Sequence, residues 1–276
     1  MMKKETRPGM VLTDFDGTLH HPVNSVSSRD LETLHRMEKE GIIRVIATGR
    51  NLFSFRRLIP DDFPIDYLIF STGCGIYDWK HKELVHACHL DRPLAEAVVE
   101  NLVKEGVGFM VHREVPENHH FVYFPGKELN PDFEKRCELY RPFARPFDGK
   151  NIPFQTVSQV LAIVPPDAEK FDALADRFEE VRVIRSTSPI SGEWFWMEFF
   201  HPGVSKGAAA AWLSDYLGIE REHTLALGND YNDVEMLEWA GHAYMVEDAP
   251  EELKALYRQA RRVEDHALTG VMDLYW

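Results

Sequence analysis

Met10-Val11-Leu12-Thr13-Asp14-Phe15-Asp16-Gly17-Thr18-Leu19 decides how this chain is read. It opens as a short apolar strand, and the strand period of two sends the Asp14 and Asp16 carboxylates to the same side. Two carboxylates that close do not both ionise comfortably without a cation. Gly17 permits a turn there and lets backbone N–H groups approach a phosphate. A bare Asp-x-Asp is more often a solvated acidic turn. The full Asp-x-Asp-Gly-Thr-Leu behind a strand is a far more specific sign of chemistry.

Working outward, the spacing predicts a helix over residues 28–40. Ser27 and Asp30 resemble a capping box at its start, Leu31, Leu34 and Met37 keep helical spacing, and Gly41 ends it. The apolar runs at 42–48 and 67–71 are short and β-branched or aromatic, and read as buried parallel strands. The pattern returns near the C-terminus. An Ala-rich helix at 205–217 closes on Gly218, a strand covers 224–228, Asn232 with Glu235 starts another helix that Gly241 ends, and a strand at 243–246 precedes a helix from Pro250. This alternation predicts an α/β, doubly wound parallel-sheet core of Rossmann-like type, built from residues 1–82 and 199–276. Residues 83–198 differ in grammar: strand-like runs at 107–112, 120–124, 160–164, 181–185 and 194–200 alternate with amphipathic helices at 93–105, 131–140 and 168–180. They predict an inserted α+β domain with its own core.

With 276 residues, 44% of them hydrophobic and 28% charged, the chain can bury one large or two modest cores. No stretch approaches the roughly eighteen uncharged apolar residues of a membrane span. The N-terminal residues Met1 to Pro8 run into the first strand without the apolar segment of a signal peptide, so a cytoplasmic location is expected. Cys74, Cys88 and Cys137 are odd in number and lack a Cys-x-x-Cys pair, which argues for reduced thiols. A formal net charge of −14 works against nucleic-acid binding. An anionic small molecule would also be repelled at long range, so it would need a local positive focus.

The hexad Asp14 to Leu19 resembles the first motif of the phosphatases of the haloacid dehalogenase superfamily, and three further stretches follow in that family's order. The resemblance implies that Asp14 is the nucleophile and that Asp16 protonates the leaving group and then activates water. Ala47-Thr48-Gly49-Arg50 matches the second motif, with the Thr48 hydroxyl donating to a phosphoryl oxygen and Arg50 as a further phosphate or substrate contact. Gly17, Thr18 and Gly49 complete the implied substrate-binding positions. Lys206, just inside a helix after Ser205, matches the third. A cation is disfavoured at a helix N-terminus, which itself suggests an anion close by. Gly228-Asn229-Asp230-Tyr231-Asn232-Asp233 matches the fourth, where Cof-like relatives usually carry Gly-Asp-x-x-Asn-Asp. Asn229 stands at the position of the direct Mg²⁺ ligand and Asp230 is the alternative. Asp233 supports the metal from behind, and Asn232 also reads as a helix N-cap.

The implied metal set is Asp14, Asp16, Asn229 and Asp233, for Mg²⁺. The insertion lies between the second and third motifs, where type 2 caps occur, and its order of elements resembles the subfamily IIB version. Thr72, in Ser71-Thr72-Gly73, takes a position where many relatives have Asn. In the insertion, His112, His119 and His120 read as solvated or substrate-facing, since no carboxylate spacing supports a metal. Trp194, Phe195, Trp196 and Phe199 divide between a core and an outer face, with Glu193 or Glu198 near a polar substrate. The expected function is Mg²⁺-dependent hydrolysis of a small phosphorylated metabolite, sugar phosphates being the favoured class, through an aspartyl-phosphate. A phosphotransferase or mutase of the same superfamily and a non-catalytic phosphate-binding protein are the alternatives.

Overall fold

The structure, a computed structural model, describes residues 6–23 and 25–276. The reading of Met1 to Glu5 therefore lies outside the described residues. The chain forms two compact units, one of Met1–Arg50, Arg56–His86 and Ser205–Trp276, the other of Asn51–Phe55 and Ala87–Val204. No helix among the described residues is long and apolar enough to cross a membrane.

The first unit is built on an eight-stranded sheet. Its order is Arg258–Ala260, His242–Val246, Thr224–Gly228, Met10–Asp14, Ile43–Ala47, Tyr67–Phe70, Gly75–Asp78, Glu83–Ala87. The first six strands run parallel and Gly75–Asp78 returns antiparallel to Tyr67–Phe70. Met10–Asp14 lies in the middle with all five residues buried, as a strand covered on both faces requires. Its register pairs Thr13 with Leu227 and Asp14 with Ala47. The carboxyl ends of three adjacent strands therefore deliver Asp14, Thr48 and Asn229 to one edge. The chain leaves Met10–Asp14 in one direction across the sheet and returns on its other side, so this edge is the crevice where α/β sheets bind ligands.

Ser27 caps the helix Ser28–Lys39, its hydroxyl accepting from the Asp30 amide at 3.1 Å. Asp30 does not complete a capping box. It is fully buried, and its Oδ1 accepts from the amide and hydroxyl of Thr269, at 2.9 and 2.7 Å, which ties this helix to Ala267–Met272.

The second unit confirms the inserted α+β cap. One sheet runs Ala144–Pro146, Phe121–Phe124, Phe109–Arg113, Thr156–Val164, Phe195–Phe200, Arg182–Thr187, with Leu90–Asp91 pairing onto Thr156–Val164. Alternation along these strands makes two faces. Phe109, Val111, Val160, Ala162, Met197 and Phe199 join the helices Arg92–Glu105 and Ala168–Ala175 in the larger core. On the opposite face, Met110, Phe121, Leu161, Ile163 and Trp196 cluster with Phe133 of the helix Pro131–Leu139. The strands Leu90–Asp91 and Ala144–Pro146 are additions to the sequence reading. The helix expected over 168–180 stops at Ala175.

His112 lies on this second face and is neither solvated nor substrate-facing, being 1% exposed. Its Nδ1 lies 2.7 Å from the Asn118 carbonyl oxygen, so that nitrogen carries the proton. Burial, with the nearby Arg136 charge, pushes its pKa down to about 3. The unfolded chain therefore binds a proton that the folded one refuses, and stability is lost as pH falls from about 6.5 toward 3. The stability advantage of wild type over His112→Gln should narrow by about 1 kcal/mol between pH 6.5 and 5.5 and approach about 1.4 kcal/mol per pH unit below that. Urea unfolding at pH 6.5 and pH 5.5 would measure it; a gap that stays constant would refute the buried neutral imidazole.

Candidate active site

Asp14 ends its strand at 4% exposure. Its Oδ1 accepts from Lys206 Nζ at 2.7 Å, and its Oδ2 is sealed from solvent without any hydrogen-bond partner. Lys206 opens the helix Lys206–Leu217 behind the Ser205 cap, whose hydroxyl accepts from the Ala208 amide at 3.0 Å. Gly73 fits beside this cap with φ of +103°, where a Cβ would come within 2.3 Å of the Ser205 carbonyl oxygen. Only glycine allows that approach.

The lysine is fully buried and serves a second carboxylate, Asp233 Oδ1, also at 2.7 Å, with Asn232 Oδ1 at 3.4 Å. Burial would lower the Lys206 pKa, but the Asp14 and Asp233 charges outweigh it and hold the ammonium protonated above the ordinary lysine range. One ammonium compensates only one of two carboxylates. Burial, aided by Asp233 and Asp16 and opposed by Lys206, accordingly raises the Asp14 pKa to about 7.

Asp16 lies closer to solvent, in a bidentate pair with Arg50: Nε to Oδ2 at 2.6 Å and Nη2 to Oδ1 at 2.8 Å. Arg50, expected to face phosphate, thus grips the second carboxylate of the hexad in this state. Thr48 is buried at the end of its strand. Its Oγ1 accepts from the Arg50 amide at 3.1 Å and keeps its own hydrogen to donate. Thr18 and Thr72 are fully buried with hydroxyls sealed and unpartnered. Thr72 also holds φ of +58°, which a β-branched residue rarely adopts, and its Oγ1 lies 3.6 Å from a Cβ built on Gly49. Sequence reasoning placed Thr72 only as a substitution; its left-handed backbone has no signature in the residue type.

In the fourth motif, Asp230 caps the turn Tyr231–Asp233, accepting from the Tyr231 amide at 2.8 Å. Asn232 is not the cap. Its side chain instead reaches toward Lys206, a site contact that its bland sequence reading hid. Asp233 Oδ2 accepts from the Asn229 and Asp230 amides, at 2.9 and 3.1 Å, so both of its oxygens are engaged in bracing the loop and the lysine. Asn229 Nδ2 donates to the Asp16 carbonyl at 3.0 Å. Gly17, at φ of +81°, gives way to this contact, since a Cβ there would lie 2.5 Å from Asn229 Nδ2.

The orphaned Asp14 Oδ2, the Asp16 carbonyl and the Asn229 side chain make an all-oxygen donor set suited to a hard divalent cation, once the Asn229 amide turns its oxygen inward. The charges agree. Asp14, Asp16 and Asp233 exceed Lys206 and Arg50 by one negative charge, which a cation would offset.

In the cap, a carboxylate does accompany two of the histidines. Glu117 Oε2 lies 3.9 Å from His119 Nε2 and 3.8 Å from His120 Nε2, and the sequence reading missed it.

A family model described as haloacid dehalogenase-like hydrolase matches residues 11–271. The chain is 27% identical over 266 residues to the 5-amino-6-(5-phospho-D-ribitylamino)uracil phosphatase YwtE of Bacillus subtilis (strain 168), covering 88% of this chain and 89% of that protein. It is 26% identical over 250 residues to an HMP-PP phosphatase of Enterobacter sp. (strain 638), covering 88% and 85%. Its fold is similar to that of BT1666 from Bacteroides thetaiotaomicron, with a TM-score of 0.79 at 18% identity over 98% of this chain and 95% of that one.

Lys206→Met would leave two carboxylates buried without their cation, a loss of about 3–5 kcal/mol. Adding Asp233→Asn should restore part of it. Urea unfolding of both variants measures the difference; a single variant as stable as wild type would show that the lysine does not carry this charge balance.

Proposed function

The chain belongs to the haloacid dehalogenase-like hydrolases, as an enzyme of their phosphatase type, and from that premise we propose that it hydrolyses a small phosphorylated metabolite through a phosphoryl group carried on Asp14. The observation that carries this reading is the state of Asp14, a carboxylate anchored through one oxygen by a buried ammonium and left with its other oxygen sealed and unpartnered. A purely structural carboxylate would have both oxygens satisfied.

Asp14 attacks phosphorus and the ester oxygen departs, taking a proton from Asp16. Water then attacks the aspartyl-phosphate, giving its proton to Asp16 and releasing phosphate and free Asp14. A carboxylate nucleophile divides one difficult transfer into two easier ones, and one neighbouring carboxyl serves both, handing a proton out and taking one back. To do so Asp16 must leave its pair with Arg50. Thr48 donates its hydroxyl hydrogen to a phosphoryl oxygen, the backbone around Gly17, Thr18 and Gly49 cradles the group, and Lys206 offsets its charge. Asp14, the Asp16 carbonyl and the Asn229 side chain would hold Mg²⁺, with Asp233 bracing the loop; the ion, when bound, neutralises charge on the phosphoryl oxygens. The relatives' names, each a phosphatase of a small phosphorylated compound, support the substrate class.

With p-nitrophenyl phosphate, Asp14→Asn should abolish turnover. Asp16→Asn should release one equivalent of nitrophenol and then stall, because a good leaving group departs unprotonated while the intermediate still needs its base. Wild-type rate in Asp14→Asn would sink the proposal. Asn229→Asp should tighten Mg²⁺ by about tenfold, since a formal charge is added to a hard-cation site. If calorimetry finds Asn229→Ala unchanged and Asp230→Ala without affinity, the ligand is Asp230.

A further inference from the structure

Glu117, His119 and His120 of the cap each offer a ligand atom within 4.8 Å of the other two. Their convergence is built into the backbone. The His120 amide donates to the Glu117 carbonyl at 3.0 Å, so residues 117–120 form a tight turn between the strands Phe109–Arg113 and Phe121–Phe124. Buried His112 anchors that turn, its Nδ1 donating to the Asn118 carbonyl at 2.7 Å.

Packing then fixes one of the three side chains. The His119 ring stacks on Phe53, with centroids 4.6 Å apart and planes at 13°, and stands nearly perpendicular to Phe143 at 4.8 Å. Its side chain is 12% exposed, against 40% for His120 and 54% for Glu117. His120 lies against the same Phe143 ring at 5.0 Å and 4.3 Å from the His119 ring. The cluster is therefore one anchored imidazole with two exposed arms.

Glu117 Oε2 stands 3.9 Å from His119 Nε2 and 3.8 Å from His120 Nε2. Both separations are too long for hydrogen bonds. A carboxylate that merely pairs with a histidine settles on one ring, whereas this one stands midway between two. Ligands bonded to one tetrahedral ion at about 2.0–2.1 Å lie about 3.4 Å apart, so the exposed arms need to close by only about half an ångström to share an ion. Two imidazoles and a carboxylate suit Zn²⁺ and its borderline neighbours, while hard Mg²⁺ favours oxygen ligands. Three protein ligands leave a fourth position for water. His119 Nδ1, sealed without an acceptor, gives its ring no outer-shell support, which makes the site roughly 10–100-fold weaker than a fully braced one.

We propose that Glu117, His119 and His120 form a Zn²⁺-class metal site in the cap, distinct in ligand chemistry from the all-oxygen set at Asp14. Its occupation requires neither turnover nor Mg²⁺.

Calorimetry of the full chain in excess Mg²⁺, which keeps the all-oxygen set filled, should show one equivalent of Zn²⁺ that Mg²⁺ does not displace. His120→Gln and Glu117→Gln alter only the exposed arms, so both variants should fold. Each should weaken Zn²⁺ by at least about a hundredfold, more than the loss of an outer-shell partner usually costs. Co²⁺ gives a second reading under the same conditions: four-coordinate Co²⁺ absorbs strongly in the visible, six-coordinate Co²⁺ among oxygens only faintly. The strong bands should appear in wild type and vanish in His120→Gln. Absence of Zn²⁺ binding, complete displacement by Mg²⁺, wild-type Zn²⁺ affinity in either variant, or a faint Co²⁺ spectrum alone would overturn the proposal.

Discussion

The Lys206 ammonium stands 2.7 Å from Asp14 and 2.7 Å from Asp233, with all three side chains buried. Taking three charges out of water is affordable only because each oxygen they expose to one another is hydrogen-bonded and because Asp233 spends its remaining oxygen on two backbone amides. That arrangement fixes the strand end at Asp14, the start of the helix Lys206–Leu217 and the loop after Thr224–Gly228 in one network. It also leaves the site one positive charge short. The raised Asp14 pKa, the sealed Oδ2 and the oxygen donors around Asn229 all express that shortage, which a bound cation would relieve.

The parts of the site legible in the sequence were those encoded locally. Asp14 and Asp16 follow from a strand period and a glycine turn, and Lys206 stands out because a helix N-terminus is a poor place for a cation. What escaped was set by partners far along the chain. Arg50 looked like a phosphate contact because nothing in Thr48-Gly49-Arg50 reveals that its fork closes on Asp16, 34 residues earlier. Asn232 and Asp230 are both good caps by residue type, and the choice between them was made by Asp233, which receives the Asp230 amide. Asp30 offered a capping box with Ser27, but its carboxylate accepts from the Ser27 hydroxyl through one oxygen and from Thr269, 239 positions away, through the other.

The fold divides in the same way. Five of the six parallel strands of the first unit are apolar runs bounded by turn residues and were read as strands; the sixth, Arg258–Ala260, lies beyond the helix begun at Pro250, is largely polar and exposed, and was not read. In the cap, the strand-like runs at 107–112 and 194–200 located the strands, yet not which face would be sealed. His112 shares its strand face with Met110 and is buried because Phe121 and the neighbouring strand cover it. Ala144–Pro146 is three residues long, ends in proline and pairs only at an edge, so no periodicity could announce it. Arg136 follows a helical pattern that a solvated arginine would satisfy equally well; only its burial against Trp196 sets it apart.

The central claim, that Asp14 becomes phosphorylated, can be tested by trapping the intermediate on Asp16→Asn protein. After a brief reaction with p-nitrophenyl phosphate and an acid quench, borohydride reduces an acyl phosphate to an alcohol, which peptide mass spectrometry locates. The expected result is reduction at position 14 alone, dependent on the ester. Reduction at another carboxylate, or none while Asp14→Asn protein still turns over, would contradict an Asp14 nucleophile.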